Sequence, residues 1–213
     1  GILGAGRRSH GGGFLVAWGS CAGGVPGAGL RGILGGKVIP LLLALAQLSG
    51  EYLQDCRAGG IRSEAFSGDL VVFTERYHRE VACLNLNVTI RSYGSYLVGA
   101  EVAEPAGASE IDFRFLKVTV SPAGGEIAAD YRARRVCGSG DWKEGGETEV
   151  TGLSCEFTPG FPLRVPAAGE ARFGIVKVGE GWLQMGAISP GRDAMAPDRR
   201  PLALDPLPYK RKN

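Results

Sequence analysis

From Leu48 onward, apolar residues recur at every second position. The clearest run sets Leu84, Leu86, Val88 and Ile90 against Asn85, Asn87 and Thr89, one greasy face and one wet face, which is the period of a half-buried strand. Cys83 then falls on the outer face. The same reading predicts strands over 49–56, 69–77, 93–102, 111–120, 126–132, 148–155, 172–178 and 182–188. Turn signals separate them: Ser92-Tyr93-Gly94, Pro105-Ala106-Gly107, Pro122-Ala123-Gly124-Gly125 and Gly179-Glu180-Gly181. Within 111–120 the alternation slips. Phe113 and Phe115 share one parity, while Leu116, Val118 and Val120 share the other, the mark of a bulge or of a strand buried on both faces. The best hairpin joins 173–178 to 182–188 through Gly179-Glu180-Gly181.

No stretch after Gln47 holds a helical stripe over three turns, so the crossover helices that a parallel sheet requires are missing. Antiparallel connection follows. The fold class is therefore all-β and antiparallel, with about eight or nine strands over 47–189 at spacings that suit a sandwich or a barrel. After it comes an extended, proline-rich tail over 190–213, with Pro190, Pro197, Pro201, Pro206 and Pro208. The tail is expected to lie across the body, since Leu202, Leu204 and Leu207 would otherwise be exposed.

Residues 1–46 have a different character. The first 37 hold 14 glycines and the near-repeat Gly-Ile-Leu-Gly at 1–4 and 32–35, with neither a helical nor a strand period. Arg31 and Lys37 then precede an apolar run from Val38 to Leu45, closed by Ala44-Leu45-Ala46. A positive region, a short greasy region and small residues at a cut describe a secretory signal peptide over 31–46. Cleavage is expected after Ala46, giving a glycine-rich leader over 1–46. The run is too short for a bilayer span, which needs roughly 20 residues. Two other readings remain: a buried helix over 38–48 with Pro40 in its first turn, and a lipoprotein leader ending at Cys21.

Cysteine usage agrees with export to the periplasm or the extracellular space. Removing the leader takes Cys21 with it and leaves Cys56, Cys83, Cys137 and Cys155, an even number that suits two disulfides. Of the three possible pairings, Cys56 with Cys83 and Cys137 with Cys155 is preferred because it closes short loops. Each such loop would add roughly 3 to 4 kcal/mol on a chain-entropy view. Zinc is not expected, because there is no C-x-x-C and the chain has only His10 and His78. Charge excludes a polyanion binder. Lys and Arg number 24 against 22 Asp and Glu, and Arg7, Arg8, Arg31 and Lys37 precede the first acid, Glu51. The body thus has a slight acidic excess, and no nucleic-acid partner is expected.

The opening Leu48-Ser49-Gly50-Glu51-Tyr52 resembles the G-x-W start of lipocalins, with Tyr52 in place of tryptophan. Extending through Cys56, Tyr77, Cys83 and Tyr93-Gly94-Ser95-Tyr96, the pattern over 48–100 is similar to the extracellular repeat of the adenomatosis polyposis coli down-regulated protein and to small exported bacterial proteins. Asp130-Tyr131 stands as a distant echo of the T-D-Y loop of lipocalins. The resemblance implies a lipocalin-like barrel with an apolar cavity that holds a lipid or acyl chain.

Parity assigns the barrel interior to Tyr52, Leu86, Val88, Ile90, Tyr96, Val98, Phe113, Ile127, Tyr131, Leu183 and Met185, all but Ile127 and Leu183 being candidates to line a ligand. Tyr96 and Tyr131 lead these, since a buried phenol needs a hydrogen-bond partner that a ligand would supply. Trp142, inside the second cysteine loop, is a candidate partner-facing residue; folding over the barrel mouth is its other reading. His78 belongs to a turn. Catalysis would need a nucleophile and an acid beside it, and no nucleophile elbow, zinc-protease motif or phosphate loop is present. Asn87-Val88-Thr89 is a glycosylation sequon, usable in a eukaryotic source. The expectation is an exported, non-catalytic barrel without cofactor or metal that binds a hydrophobic small molecule or acyl chain. The alternative is a protein interaction module with a solid core, such as a small barrel inhibitor or an envelope or complex subunit.

Overall fold

In the computed structural model of the chain, which describes residues 48–212, the alternating run from Leu86 does not stop at Ser92-Tyr93-Gly94. It continues as one long strand. The elements are β1 (Gly50–Leu53), β2 (Gly60–Ser67), β3 (Leu70–His78), β4 (Leu86–Glu101), β5 (Ala108–Pro122), helix α1 (Gly125–Arg134), β6 (Thr148–Glu149), β7 (Ser154–Thr158), β8 (Phe161–Arg164), β9 (Ala171–Gly179), β10 (Trp182–Met185) and β11 (Tyr209–Arg211). The leader, the signal peptide over 31–46 and the alternatives there lie outside the described residues.

Eight strands close into an antiparallel barrel in the order β4-β3-β2-β1-β11-β10-β9-β5, with β5 returning to pair with β4. β6 adds to β5 beyond the barrel, and β7 and β8 form a separate hairpin. The expected turn at Gly179-Glu180-Gly181 is present, with Gly179 facing Trp182. The tail does more than lie across the body: β11 pairs with both β1 and β10, Tyr52 facing Arg211 and Leu183 facing Tyr209. The barrel is thus incomplete at residue 189. Of the tail leucines, Leu202 is exposed while Leu204 and Leu207 are half-buried.

The slip in β5 is a bulge. Tyr93 faces Lys117 and Gly94 faces Phe115, so Leu116 is the extra residue. Leu116 and Lys117 both point outward, whereas Phe113, Phe115, Val118 and Val120 are all buried. Leu116 therefore leaves the parity group in which alternation placed it, at 51% exposure. Opposite the bulge only glycine fits: a Cβ on Gly94 would lie 2.6 Å from the Arg114 carbonyl oxygen.

The segment over 126–132 is a helix, not a strand. Ile127 and Tyr131 are four residues apart, a spacing that points to one side in either period. Glu126 in the first turn and Arg132 and Arg134 in the last complement the helix dipole, and Asp130 pairs with Arg134 at 2.6 Å. Arg135 ends the helix in a left-handed conformation, φ 51°. Its buried side, Ile127, Ala128 and Tyr131, joins Val88, Phe115, Val118, Val120, Val150 and Val165 in one apolar cluster. Trp142 completes that cluster. It is fully buried, packs edge-on to Tyr131 at 5.2 Å and donates its indole N–H to the Val136 carbonyl at 3.1 Å. A partner-facing role for Trp142 is thereby overturned. A second cluster fills the other half of the barrel with Leu48, Tyr52, Phe66, Val71, Tyr96, Val98, Ile111, Phe113, Val176, Leu183 and Tyr209.

The cysteines pair as the short loops favour: Cys56 with Cys83 at 2.08 Å and Cys137 with Cys155 at 2.02 Å. The first staples the loop after β1 to the loop between β3 and β4. The second ties the turn after α1 to β7.

The bulge sets the first expected outcome. Gly94→Ala forces a methyl against backbone that cannot rotate away, and overpacking of this kind costs about 1 to 3 kcal/mol. Chemical denaturation should show that loss in the variant.

Candidate functional site

Where the two apolar clusters meet, the interior is not filled. A cavity of about 200 Å³ lies there. Its walls come from β2 (Arg62, Glu64), β3 (Phe73, Glu75), β4 (Ser92), β5 (Phe113, Phe115), β9 (Arg172, Gly174), β10 (Met185) and β11 (Tyr209), with Ile188, Asp193, Ala194, Met195 and Pro201 from the segment after β10.

That segment is held down by Arg200. Its guanidinium donates to the Gly174 carbonyl at 2.8 Å, pairs with Asp112 at 2.7 Å and Glu110 at 3.2 Å, and stacks 5.5 Å from the Phe173 ring centroid. The Phe173 amide also donates to the Ala194 carbonyl at 2.9 Å. The strap is thus fixed across β5 and β9.

The polar wall is a buried network. Tyr52 on β1 and Phe73 on β3 flank Glu64 across the sheet. Glu64 is 4% exposed; it shares a hydrogen bond with the Tyr209 hydroxyl, and its Oε2 has no hydrogen-bond partner. Burial pushes its pKa up to about 8, with the neighbouring Glu75 adding to the rise while Tyr209 and Arg62 oppose it. Arg62 pairs with Glu75 at 3.1 Å, and Tyr77 hydrogen-bonds to both. Burial also raises the Tyr209 phenol, with the Glu64 charge second. On the opposite wall, Arg172 pairs with Glu170 at 2.6 Å and lies 5.6 Å from the Phe115 ring centroid.

Among the residues expected to line a ligand, Phe113 and Met185 line this cavity. Tyr52, Tyr96 and Val98 are packed in the second cluster. Tyr96 needs no ligand, since its hydroxyl donates to the Gly68 carbonyl at 3.0 Å. Val88 and Tyr131 belong to the first cluster, with Ile90 packed against it. Leu86 is not interior at all: at 38% exposure it stands at the outer end of β4, where the register slips past Tyr77 and His78. His78 ends β3 with its Nδ1 3.1 Å from the Gly59 carbonyl.

Sequence reasoning missed Arg62, Glu64, Glu75 and Arg172. It missed β2 altogether, because inward-facing Arg62 and Glu64 interrupt the apolar alternation there. A usable signal remained: Gly59-Gly60 and Ser67-Gly68-Asp69 bracket eight residues, the length and punctuation of a strand.

Glu64 makes stability depend on pH. A carboxyl whose folded pKa lies above its unfolded value stabilises the fold fully below the unfolded value, and that stability is lost as pH rises through the folded one. The window runs from 4.5 to about 8. At about 1.4 kcal/mol per pKa unit, the change is on the order of a few kcal/mol. Denaturation at pH steps across this window should show the wild-type protein weakening and Glu64→Gln remaining nearly flat.

Comparison with protein-family models and with curated proteins finds no match to the chain.

Proposed function

We propose that this chain is an exported, non-catalytic β-barrel that holds a hydrophobic small molecule or short acyl chain in the cavity between its two cores. The cavity is the single observation that carries this reading. Its exposed inner surface is chiefly apolar, with charged groups set on the β2–β3 wall, on the opposite β9 wall and on the strap, a mixture common in small-molecule sites. At about 200 Å³ it exceeds an apolar cavity of about 150 Å³ known to accept benzene. A ring or a short branched chain fits; a long acyl chain does not fit whole.

Support for export is chemical: two cysteine pairs at bonding distance, of a kind that persists in oxidising compartments. Among the described residues, no helix is long and apolar enough to cross a membrane. Support for a role without catalysis lies in the placement of His78, whose ring meets a backbone carbonyl.

Two measurements test the reading. In 19F NMR titrations, fluorobenzene should bind the wild-type protein saturably, and Ser92→Leu, which fills the cavity from β4, should weaken that binding by about tenfold or more. Absence of saturable binding overturns it. Non-reducing peptide mapping of protein from its own source should find Cys56 linked to Cys83 and Cys137 to Cys155; free thiols there overturn export.

A further inference from the structure

We infer that the molecule held in this cavity carries a protonated amine, which donates to the Glu64 carboxyl while its apolar part lies against Phe73 and Phe113. The inference rests on the ligand-binding reading above.

The charges around the cavity lead to it. Three carboxylates line the space: Glu64, Glu75 and Asp193. Glu75 is matched by Arg62 at 3.1 Å and Asp193 by Arg199 at 2.8 Å. Each lining arginine also has a carboxylate, Arg62 that of Glu75 and Arg172 that of Glu170. Glu64 stands apart. Its one hydrogen bond is to an uncharged phenol, and its Oε2 is buried with no partner. The carboxyl of this lining residue thus has hydrogen-bond capacity that the protein leaves unused, and once it is ionised a cationic donor satisfies it best.

The apolar walls agree. Phe73 and Phe113 stand edge to face with centroids 4.8 Å apart, and both line the cavity. Aromatic faces attract an ammonium or the polarised C–H groups beside it. An anionic ligand would instead bring its charge beside the Glu75 and Asp193 carboxylates, in a space whose lining arginines are already engaged by Glu75 and Glu170. The cavity volume limits the ligand to a compact body, such as one ring on a short ethylamine arm.

The proton balance is explicit. The empty site holds Glu64 as a neutral acid at pH 7, its carboxyl surrounded by Tyr52 from β1, Arg62 on its own strand, Glu75 from β3, Tyr209 from β11 and Arg172 across the cavity from β9. An arriving ammonium keeps its own proton. Glu64 releases its proton to solvent, and an ammonium–carboxylate pair remains. Amine affinity should therefore rise with pH toward about 8.

Calorimetric titration of the whole protein with phenethylamine, 2-phenylethanol, ethylbenzene and phenylacetate tests this. Phenethylamine should bind about tenfold or more tighter than 2-phenylethanol at pH 8, with phenylacetate weakest. Between about pH 6 and 7 its affinity should approach a tenfold gain per unit with close to one proton released, falling to about half a proton near pH 8. Buffers of different ionisation enthalpy read that proton without any variant. E64Q should cut the preference for phenethylamine over ethylbenzene by about tenfold or more. An amine that binds no tighter than the alcohol, or an amine preference that survives E64Q, overturns the inference. If fluorobenzene still binds, only the ligand class falls; if no compound binds, the ligand-binding reading falls with it.

Discussion

One register break organises the barrel. β5 serves two cores at once: Ile111 and Phe113 belong to one, Phe115, Val118 and Val120 to the other. Strict alternation from Phe113 would put Val118 and Val120 outside. The extra residue at Leu116 resets the parity, so both halves of the strand face inward. Gly94 makes this possible by letting β4 approach where any side chain would collide. Where the halves join, neither cluster fills the space, and the cavity occupies the gap.

The other edge of β5 shows the same division. Its first half pairs with β9 from Ala108 to Arg114, and its second half pairs with β6 at Thr119 and Val120. Between them, the Phe115 amide donates to Glu170 and the Val118 amide to the Thr151 hydroxyl. Barrel and end cap therefore share one strand without sharing a core. α1, Trp142 and the second disulfide close the end that β9 and β10 do not reach, and Arg200 fixes the strap beside the opening.

How much of this was legible follows from period and polarity. β10, and β3 and β9 despite one inward charge each at Glu75 and Arg172, were readable from alternation, and the bulge was readable because Phe115 and Leu116 broke parity in sequence. α1 was not, since Ile127 and Tyr131 fit either period and only Ala128, buried beside Ile127, distinguishes a helix. β2 was hidden for a more informative reason. Arg62 and Glu64 occupy inward positions that a plain core would give to leucine or valine, so the rule failed at the residues of the candidate site. Proline content hid β11 likewise, in a tail whose short Tyr209–Arg211 run carries no alternation long enough to notice.

Closure by β11 orders events in time. Because Tyr52 faces Arg211, β1, the first strand of the described residues, gains one neighbour as soon as β2 is made and must wait for the other until nearly all the remaining barrel strands exist. Both cysteine pairs lie upstream of that closing strand, so oxidation can pin the half-built sheet while β1 and β10 still present open edges. In an oxidising compartment the two cysteine pairs would thus hold a ribbon that could otherwise pair with a neighbouring chain before β11 arrives.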